Sequence, residues 1–364
     1  MNILFQNQKI DQNTILNKDW DQQLPSFLNS ALEFCHDWYN GKKEFTLHTS
    51  GSTGTPKPIQ LKREQLEISA TNTVNVLNLQ ATDHALLCMN TDFVAGKMML
   101  VRAMVADMDI TIVQPTKNPF ENLSEAIHFD FTAMIPMQIE ACLNDSKASK
   151  ALNQMKAILI GGAPLTYAQI ELCNEKLTAP TFLTYGMTET VSHIALKVIN
   201  GEDIKEDFKV FDDVEIGVDE RECLHIKAPV TLDQKIQTND IVKLTSDKSF
   251  IWLGRADNIV NSGGIKIQIE EVEKEMAVIL FDLDIPNPFF ITAIEDEVLG
   301  EKIIGLIEEG DREIHSDQLL EKLKTRLPKY HAPKELYLVS AFERTPTHKI
   351  QRKQTVDKLI KPSN

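Results

Sequence analysis

Between residues 45 and about 200, short apolar runs alternate with stretches whose apolar residues recur at helical spacing. The runs are Phe45 to His48, Ala85 to Met89, Ile110 to Val113, Phe131 to Ile135, Ala157 to Ile160 and Thr181 to Tyr185. In the stretch after the first run, Leu66, Ala70, Val74 and Leu77 mark one helical face. Short buried strands separated by helices imply βαβ units, and hence an α/β fold with an open, mostly parallel sheet. Open sheets of this kind bind ligands outside the carboxyl ends of their strands. Thr49, Asn90, Pro136, Gly161 and Gly186 all stand at or just after a predicted strand end, so the polar and glycine-rich residues converge on one sheet edge.

The first of these ends runs into Thr49-Ser50-Gly51-Ser52-Thr53-Gly54-Thr55-Pro56-Lys57. Glycines permit close backbone approach and positive φ. Hydroxyls, backbone N–H groups and Lys57 supply donors and charge, which is what a polyphosphate needs. The stretch is not the G-x-x-x-x-G-K-[ST] loop, because Lys57 lies between Pro56 and Pro58 and no hydroxyl follows it. A polar surface loop would have the same composition, so the remainder of the chain has to decide.

Beyond about residue 208 the texture changes to short β-like stretches at Cys223 to Lys227, Ile241 to Leu244 and Phe250 to Leu253. After Asp257 come strands predicted at Ile265 to Ile269, Pro288 to Ile294, Lys302 to Ile307 and Glu335 to Val339, with helices starting at Glu270 and around Leu319 to Leu327. The pattern predicts two domains: residues 1–256, with the parallel sheet and a small β-rich subdomain, and residues 257–364, a smaller α+β unit of ordinary domain size. Before the first strand, Leu24 to Trp38 reads as one amphipathic helix.

The loop after Thr49 resembles the phosphate loop of the adenylate-forming acyl-CoA synthetases, the AMP-binding enzymes. Four further motifs of that family follow in order: Gly161-Gly162-Ala163-Pro164, Tyr185-Gly186-Met187-Thr188-Glu189, Gly254-Arg255-Ala256-Asp257 and Pro346-Thr347-His348-Lys349. The resemblance covers residues 45 to about 355 and implies an acid–CoA ligase that works through an acyl-adenylate, with ATP, Mg²⁺ and CoA. It implies that Thr49, Ser50, Gly51, Ser52, Thr53, Gly54 and Lys57 wrap the phosphates. Gly162, Ala163 and Pro164 would lie along the adenine, Tyr185 would stack on it, and Gly186 would let it approach. Thr188 would contact the α-phosphate and Glu189 would help hold Mg²⁺, a hard ion suited to oxygen. Asp240, in Thr238-Asn239-Asp240, takes the place of a ribose-binding aspartate, with asparagine where glycine is usual. Arg255 would be a second ribose or phosphate contact.

Family members turn their C-terminal domain between two half-reactions, and the resemblance puts the pivot at Asp257 and brings Ser262, Gly263 and Gly264 to the CoA arm. Lys349 would be the catalytic lysine, here preceded by His348 in place of the usual glycine. Family members also carry a much longer segment ahead of the phosphate loop than the 48 residues here, so the first subdomain is expected to be shortened.

Within the family, Ala95 to Arg102 and Tyr185 to Lys197 are most similar to the o-succinylbenzoate–CoA ligases of menaquinone synthesis. Such an acid carries a second carboxylate, which needs a cationic or donor anchor; Lys97, Arg102, Ser192, His193 and Lys197 are the candidates. Another small-acid or aryl-acid ligase, an adenylation enzyme loading a carrier protein, and a nucleotide-binding homologue without catalysis stay open at this point. Retention of Lys349 and Glu189 argues against the last.

The formal net charge of −15 opposes the approach of anionic ligands, so binding has to rest on local donors. No basic stripe interleaved with aromatics suggests nucleic acid. The basic tail with Arg344, Arg352, Lys353, Lys358 and Lys361 reads as a solvated helix face. The five cysteines are scattered and without metal or disulfide spacing, and the N-terminus does not read as a signal peptide, so a cytoplasmic location is expected, with no membrane insertion and a homo-oligomer open.

Overall fold

The computed structural model describes residues 1–6, 8–21, 23–49, 57–310, 312–344 and 350–360. The chain opens with two three-residue strands, β1 (Ile3–Phe5) and β2 (Gln8–Ile10), which periodicity over so few residues does not reveal. A short helix α1 (Gln12–Leu16) and α2 (Ser26–Tyr39) follow, the latter burying Leu28, Ala31, Leu32, Phe34, Cys35 and Trp38.

The run at Phe45 does not join the parallel sheet. It forms β3 (Glu44–Thr49), which pairs antiparallel with β4 (Lys57–Lys62) from Glu44↔Lys62 to Thr49↔Lys57 as a separate two-stranded sheet. The physical reason is spacing: a parallel partner needs a crossover of a dozen residues or so, and the chain returns after too few. Residues 50–56 therefore connect the two strands of a hairpin.

Helix α3 (Arg63–Val76) then leads to the sheet proper: β5 (His84–Leu87), α4 (Val94–Ala106), β6 (Asp109–Ile112), β7 (Phe131–Met134), α5 (Pro136–Leu143), α6 (Ser146–Leu152), β8 (Ala157–Ile160), α7 (Tyr167–Lys176) and β9 (Thr181–Gly186). These strands pair in parallel in the order β9-β8-β7-β5-β6, with β1 parallel to β6 and β2 antiparallel on the edge. Alternate side chains face opposite layers. Ala85, Leu87, Ala133 and Leu159 pack with Leu66, Met98 and Leu100 of α3 and α4, while Leu86, Cys88, Met134, Ile158 and Ile160 pack with Ile139, Leu152 and Cys173 of α5 to α7. From β5 the chain passes to β6 on one side and β7 on the other, so the loops after β5 and β7 part and leave a crevice at their carboxyl ends.

Past β9 the same sheet continues with antiparallel strands: β10 (His193–Val198), β11 (Phe208–Val210), β12 (Glu215–Val218), β13 (Cys223–Lys227), β14 (Ile236–Ser246) and β15 (Ser249–Arg255). Thirteen strands lie on this path. The remaining strands make a second sheet: β16 (Ile259–Ser262), β17 (Ile265–Gln268), β18 (Phe289–Asp296), β19 (Gly300–Glu308) and β20 (Glu335–Val339), in the order β17-β16-β19-β18 with β20 parallel to β19. Helices α8 (Ile269–Asp282) and α9 (Ser316–Arg326) cover one face with Val272, Met276, Ile279, Leu319 and Leu323. Helix α10 (Arg352–Ile360) covers the other through Val356, against Phe290, Ile304, Leu306 and Phe342.

Two members of the basic tail are ion-paired, Arg352 while still exposed. Arg344 makes a two-pronged ion pair with Glu308, which also accepts from the Phe342 backbone N–H at 2.9 Å. Arg352 pairs with Glu273 at 2.9 Å and lies over the Phe290 ring. All five cysteines are buried and free; burial pushes the thiols of Cys35, Cys88, Cys142 and Cys173 up to about 12, and raises that of Cys223. No helix among the described residues is long and apolar enough to cross a membrane.

Candidate active site

Ser50, Gly51, Ser52, Thr53, Gly54 and Lys349 lie outside the described residues, as do the side chains of Thr49 and Lys57. Described are the backbones at Thr49 and Lys57, which face each other across the β3–β4 hairpin, and the two feet of the segment bearing Lys349. Arg344 bridges to Ile350 and the Gln351 N–H donates to the Glu343 carbonyl, so the chain enters and leaves residues 345–349 as a closed antiparallel stem.

At the carboxyl end of β8, Gly161 is required by packing: a Cβ there would stand 2.3 Å from Oγ1 of Thr184, which donates to the Ile160 carbonyl at 3.1 Å. Gly161→Ala should lower unfolding free energy by about 1–3 kcal/mol through overpacking, and Thr184→Ala in the same chain should recover most of it. Denaturant unfolding of the two variants checks this. Gly162 follows with φ +85, and Gly162, Ala163 and Pro164 are exposed. Thr166 then caps α7, accepting from Gln169 N–H while the Gln169 side chain accepts in return.

At the end of β9, Gly186 pairs with His193 of β10, and a side chain at Gly186 would stand 2.2 Å from the Ser192 carbonyl oxygen. Thr188 and Glu189 lie in the 3₁₀ turn that joins the two strands. Glu189 is exposed, and its carboxylate takes no partner among the described residues. Next to this turn, buried Val191 is held at φ 65, a conformation a β-branched residue rarely adopts, and it swings Ser192 and His193 back beside Gly186.

Two polar clusters meet at Gly186. In the first, the Tyr185 hydroxyl donates to Oδ2 of nearly buried Asp240 at 2.6 Å, and burial together with that carboxylate pushes the phenol well up. Arg255, opposite Asp240 across β14 and β15, stands 3.6 Å from it and donates to Asp257 at 2.9 Å; Asn239 also donates to Asp257, at 3.2 Å. The Arg255 pair holds the Asp257 carboxyl below its usual range. Residues 185, 240, 255 and 257, distant in sequence, thus form one network. Arg221, which no motif marked, joins it through the Asn239 side-chain oxygen at 3.3 Å.

In the second cluster, Arg102 of α4 is 3% exposed, and no carboxylate among the described residues pairs with it. Its Nη2 donates to Ser192 Oγ at 3.0 Å, its Nη1 lies 3.7 Å from the Met99 sulfur, and its Nε has no partner. Burial pushes its pKa down to about 10, which leaves it a cation at neutral pH. Ser192 Oγ is 3.3 Å from His193 Nδ1, and His193 Nε2 is 3.1 Å from Thr73 Oγ1 of α3. Thr73 in turn donates to the Ser69 carbonyl. Burial, and next the Arg102 charge, hold the His193 imidazole well below its ordinary pKa.

Lys97 and Lys197 stand apart from this cluster. Lys97, in the first turn of α4, carries its ammonium 5.8 Å from the Phe34 ring. Lys197 pairs with Leu183, four residues further along β10 than His193 or about 13 Å at strand rise, and its ammonium is 5.9 Å from the Phe208 ring. Ser262, Gly263 and Gly264 make the tight turn between β16 and β17, the two glycines at φ 59 and 82, a pair of positive values that suits a two-residue hairpin.

A model of the AMP-binding enzyme family matches residues 44–217. The crystal structure of an acyl-CoA synthetase (AMP-forming)/AMP-acid ligase II-like protein from Dyadobacter fermentans is 40% identical, with 94% of this chain and 97% of that chain covered and a TM-score of 0.65. A 2-succinylbenzoate–CoA ligase of Bacillus licheniformis is 25% identical over 84% of this chain and 68% of its own length. The o-succinylbenzoate coenzyme A synthetase of Bacillus subtilis, solved with ATP and magnesium ion, shares the fold at 21% identity and a TM-score of 0.72, with 86% of this chain and 69% of that chain covered.

Proposed function

We propose that this chain, which belongs to the AMP-forming acyl-CoA synthetase family, converts o-succinylbenzoate, ATP and CoA to o-succinylbenzoyl-CoA, AMP and diphosphate. The chain is an AMP-forming acid–CoA ligase; the acid is the new element. The observation that carries it is Arg102, a buried cation with no counter-ion among the described residues and an unsatisfied Nε, next to Ser192 at the end of β9. Burying a guanidinium without a counter-ion is costly, and an anionic substrate group would supply the missing partner. A second carboxylate on the acid is such a group, and the names of curated relatives at about a quarter identity support that acid.

In this reading the succinyl carboxylate oxygen attacks the α-phosphorus of ATP and diphosphate leaves. The CoA thiolate then attacks the acyl carbon and AMP leaves. Residues 50–54 with Thr49 and Lys57 hold the phosphates; Gly162, Ala163, Pro164, Tyr185 and Gly186 hold the adenine; Asp240 and Arg255 take the ribose. Glu189, exposed and without a partner among the described residues, fits a Mg²⁺ ligand, and the ion would neutralise phosphate charge there. Thr188 contacts the α-phosphate, and Lys349 stabilises the charge that builds up as diphosphate departs. Asp257 is the pivot between residues 1–256 and 257–364, and turning about it brings Ser262, Gly263 and Gly264 to the CoA arm.

The test is a panel of acids. Pyrophosphate release with ATP·Mg²⁺ should be fastest with o-succinylbenzoate and far slower with benzoate, succinate and medium-chain fatty acids. A preference for fatty or simple aryl acids would overturn the substrate and leave the ligase chemistry in place.

A further inference from the structure

We infer that Thr73 and His193 are positioning residues of the acyl pocket, joined to Arg102 through Ser192 in a chain of hydrogen bonds that has one direction. The inference rests on the reading of Arg102 as the anchor for the second carboxylate.

The direction follows from the donors. Thr73 gives its single hydroxyl proton to the Ser69 carbonyl, 3.1 Å away along α3, so toward His193 its oxygen can only accept. His193 Nε2 must then carry the proton. The imidazole is buried beside a guanidinium, which holds it neutral, so Nδ1 is bare and accepts the Ser192 hydroxyl proton. With its proton committed to the ring, Ser192 Oγ meets Arg102 as an acceptor, which is the only role a guanidinium allows it. One tautomer and one hydroxyl orientation satisfy every contact. The guanidinium is thereby held by an Nη2 proton on Ser192 and an Nη1 contact to the Met99 sulfur, and Nε keeps its donor unused.

The arrangement has a chemical purpose that a carboxylate in place of His193 would defeat. An aspartate or glutamate beside Arg102 would neutralise it and compete with a substrate anion. A neutral imidazole buttressed by Thr73 fixes the guanidinium's orientation and leaves its charge uncompensated. His193 is further held by the Phe211 ring, at a centroid distance of 5.5 Å.

Thr73→Val removes the acceptor for Nε2–H within a nearly isosteric side chain. It should raise KM for o-succinylbenzoate about tenfold with kcat, KM for ATP and the kinetics of the monocarboxylate analogue unchanged; Thr73→Ser should restore KM. An equal loss with both acids would mean that Thr73 only supports the fold, and would overturn the proposal. A second measurement uses the wild-type protein without any acid. Nitrogen-15 NMR of labelled histidine should show a neutral ring at neutral pH, Nε2 protonated and Nδ1 bare, and Thr73→Val should disturb that signature. A ring protonated at Nδ1, or an imidazolium, would overturn the relay. Because the NMR readout needs no substrate, a failed acid panel with the expected tautomer would sink the choice of acid and spare the relay.

Discussion

Replacing Arg102 with leucine is expected to lower kcat/KM for o-succinylbenzoate by about 10³-fold, while the monocarboxylate analogue is turned over faster than by the wild type. Wild-type protein should discriminate between the two acids by about 10⁴-fold, since a pocket built to pair a buried charge leaves that charge stranded when the substrate lacks its partner. Truncating one member of a buried charged pair costs about 2–5 kcal/mol, or about 30- to 5,000-fold. Leucine has no donor to strand, so the analogue gains and the gap closes from both sides. The readout is the ratio of pyrophosphate release rates for the two acids. The 3% exposure of Arg102 makes folding the competing explanation, and the analogue's rate is the control: a misfolded variant would lose both. Removing the charges of Lys97 or Lys197, which pack on Phe34 and Phe208 away from the cluster, should leave the ratio intact. A ratio that falls with Lys97→Met or Lys197→Met, and not with Arg102→Leu, would move the anchor.

Lys349→Ala should reduce acyl-adenylate formation by about 10²- to 10³-fold, or about 2.7–4 kcal/mol, by analogy with the loss of one preorganised donor. Thioester formation from supplied acyl-adenylate and CoA should be largely spared. The stem makes this a clean experiment. The ends of the segment are fixed by Arg344 on Glu308 and Arg352 on Glu273, and by the backbone contacts at Ile350 and Gln351. None of these uses Lys349, so the unfolding midpoint of the variant should not move. Equal losses in both half-reactions would remove Lys349 from an adenylation-specific role.

Much of the frame could be read from the chain because local pattern and tertiary role coincide in it. Ala157–Ile160 and Glu335–Val339 were bounded by their apolar runs alone. Where local pattern and pairing part, the reading failed. The run at Phe45 has the composition of a buried strand, yet pairs with β4 because the chain turns back before a crossover can form. Three residues each were too few for β1 and β2 to register. The ion pairs of Arg344 and Arg352 are not legible in the sequence because their carboxylates lie 36 and 79 residues away.

The candidate site divides similarly. Strand ends announced Gly161 and Gly186, and the structure brings Tyr185, Asp240, Arg255 and Asp257 into one network. Thr73 went unseen, since its partner His193 is 120 residues distant. The available signal was two polar residues, Ser69 and Thr73, set one turn apart on the same buried face of α3 as Leu66 and Ala70.

The buried cysteines bear on chemoselectivity. An acyl-adenylate is a mixed anhydride, and the protein functional group most prone to intercept it is a thiolate. A thiol at the ordinary pKa near 8.5 is a few per cent ionised at neutral pH; one pushed to about 12, as Cys35, Cys88, Cys142 and Cys173 are, is ionised in about one molecule in 10⁵. Cys88 stands directly after β5, at the edge where the crevice opens, and still turns its sulfur toward the Ala133 carbonyl. Self-acylation is thus suppressed by ionisation as well as by access, and the activated acyl group can wait for the one thiol that arrives from solution.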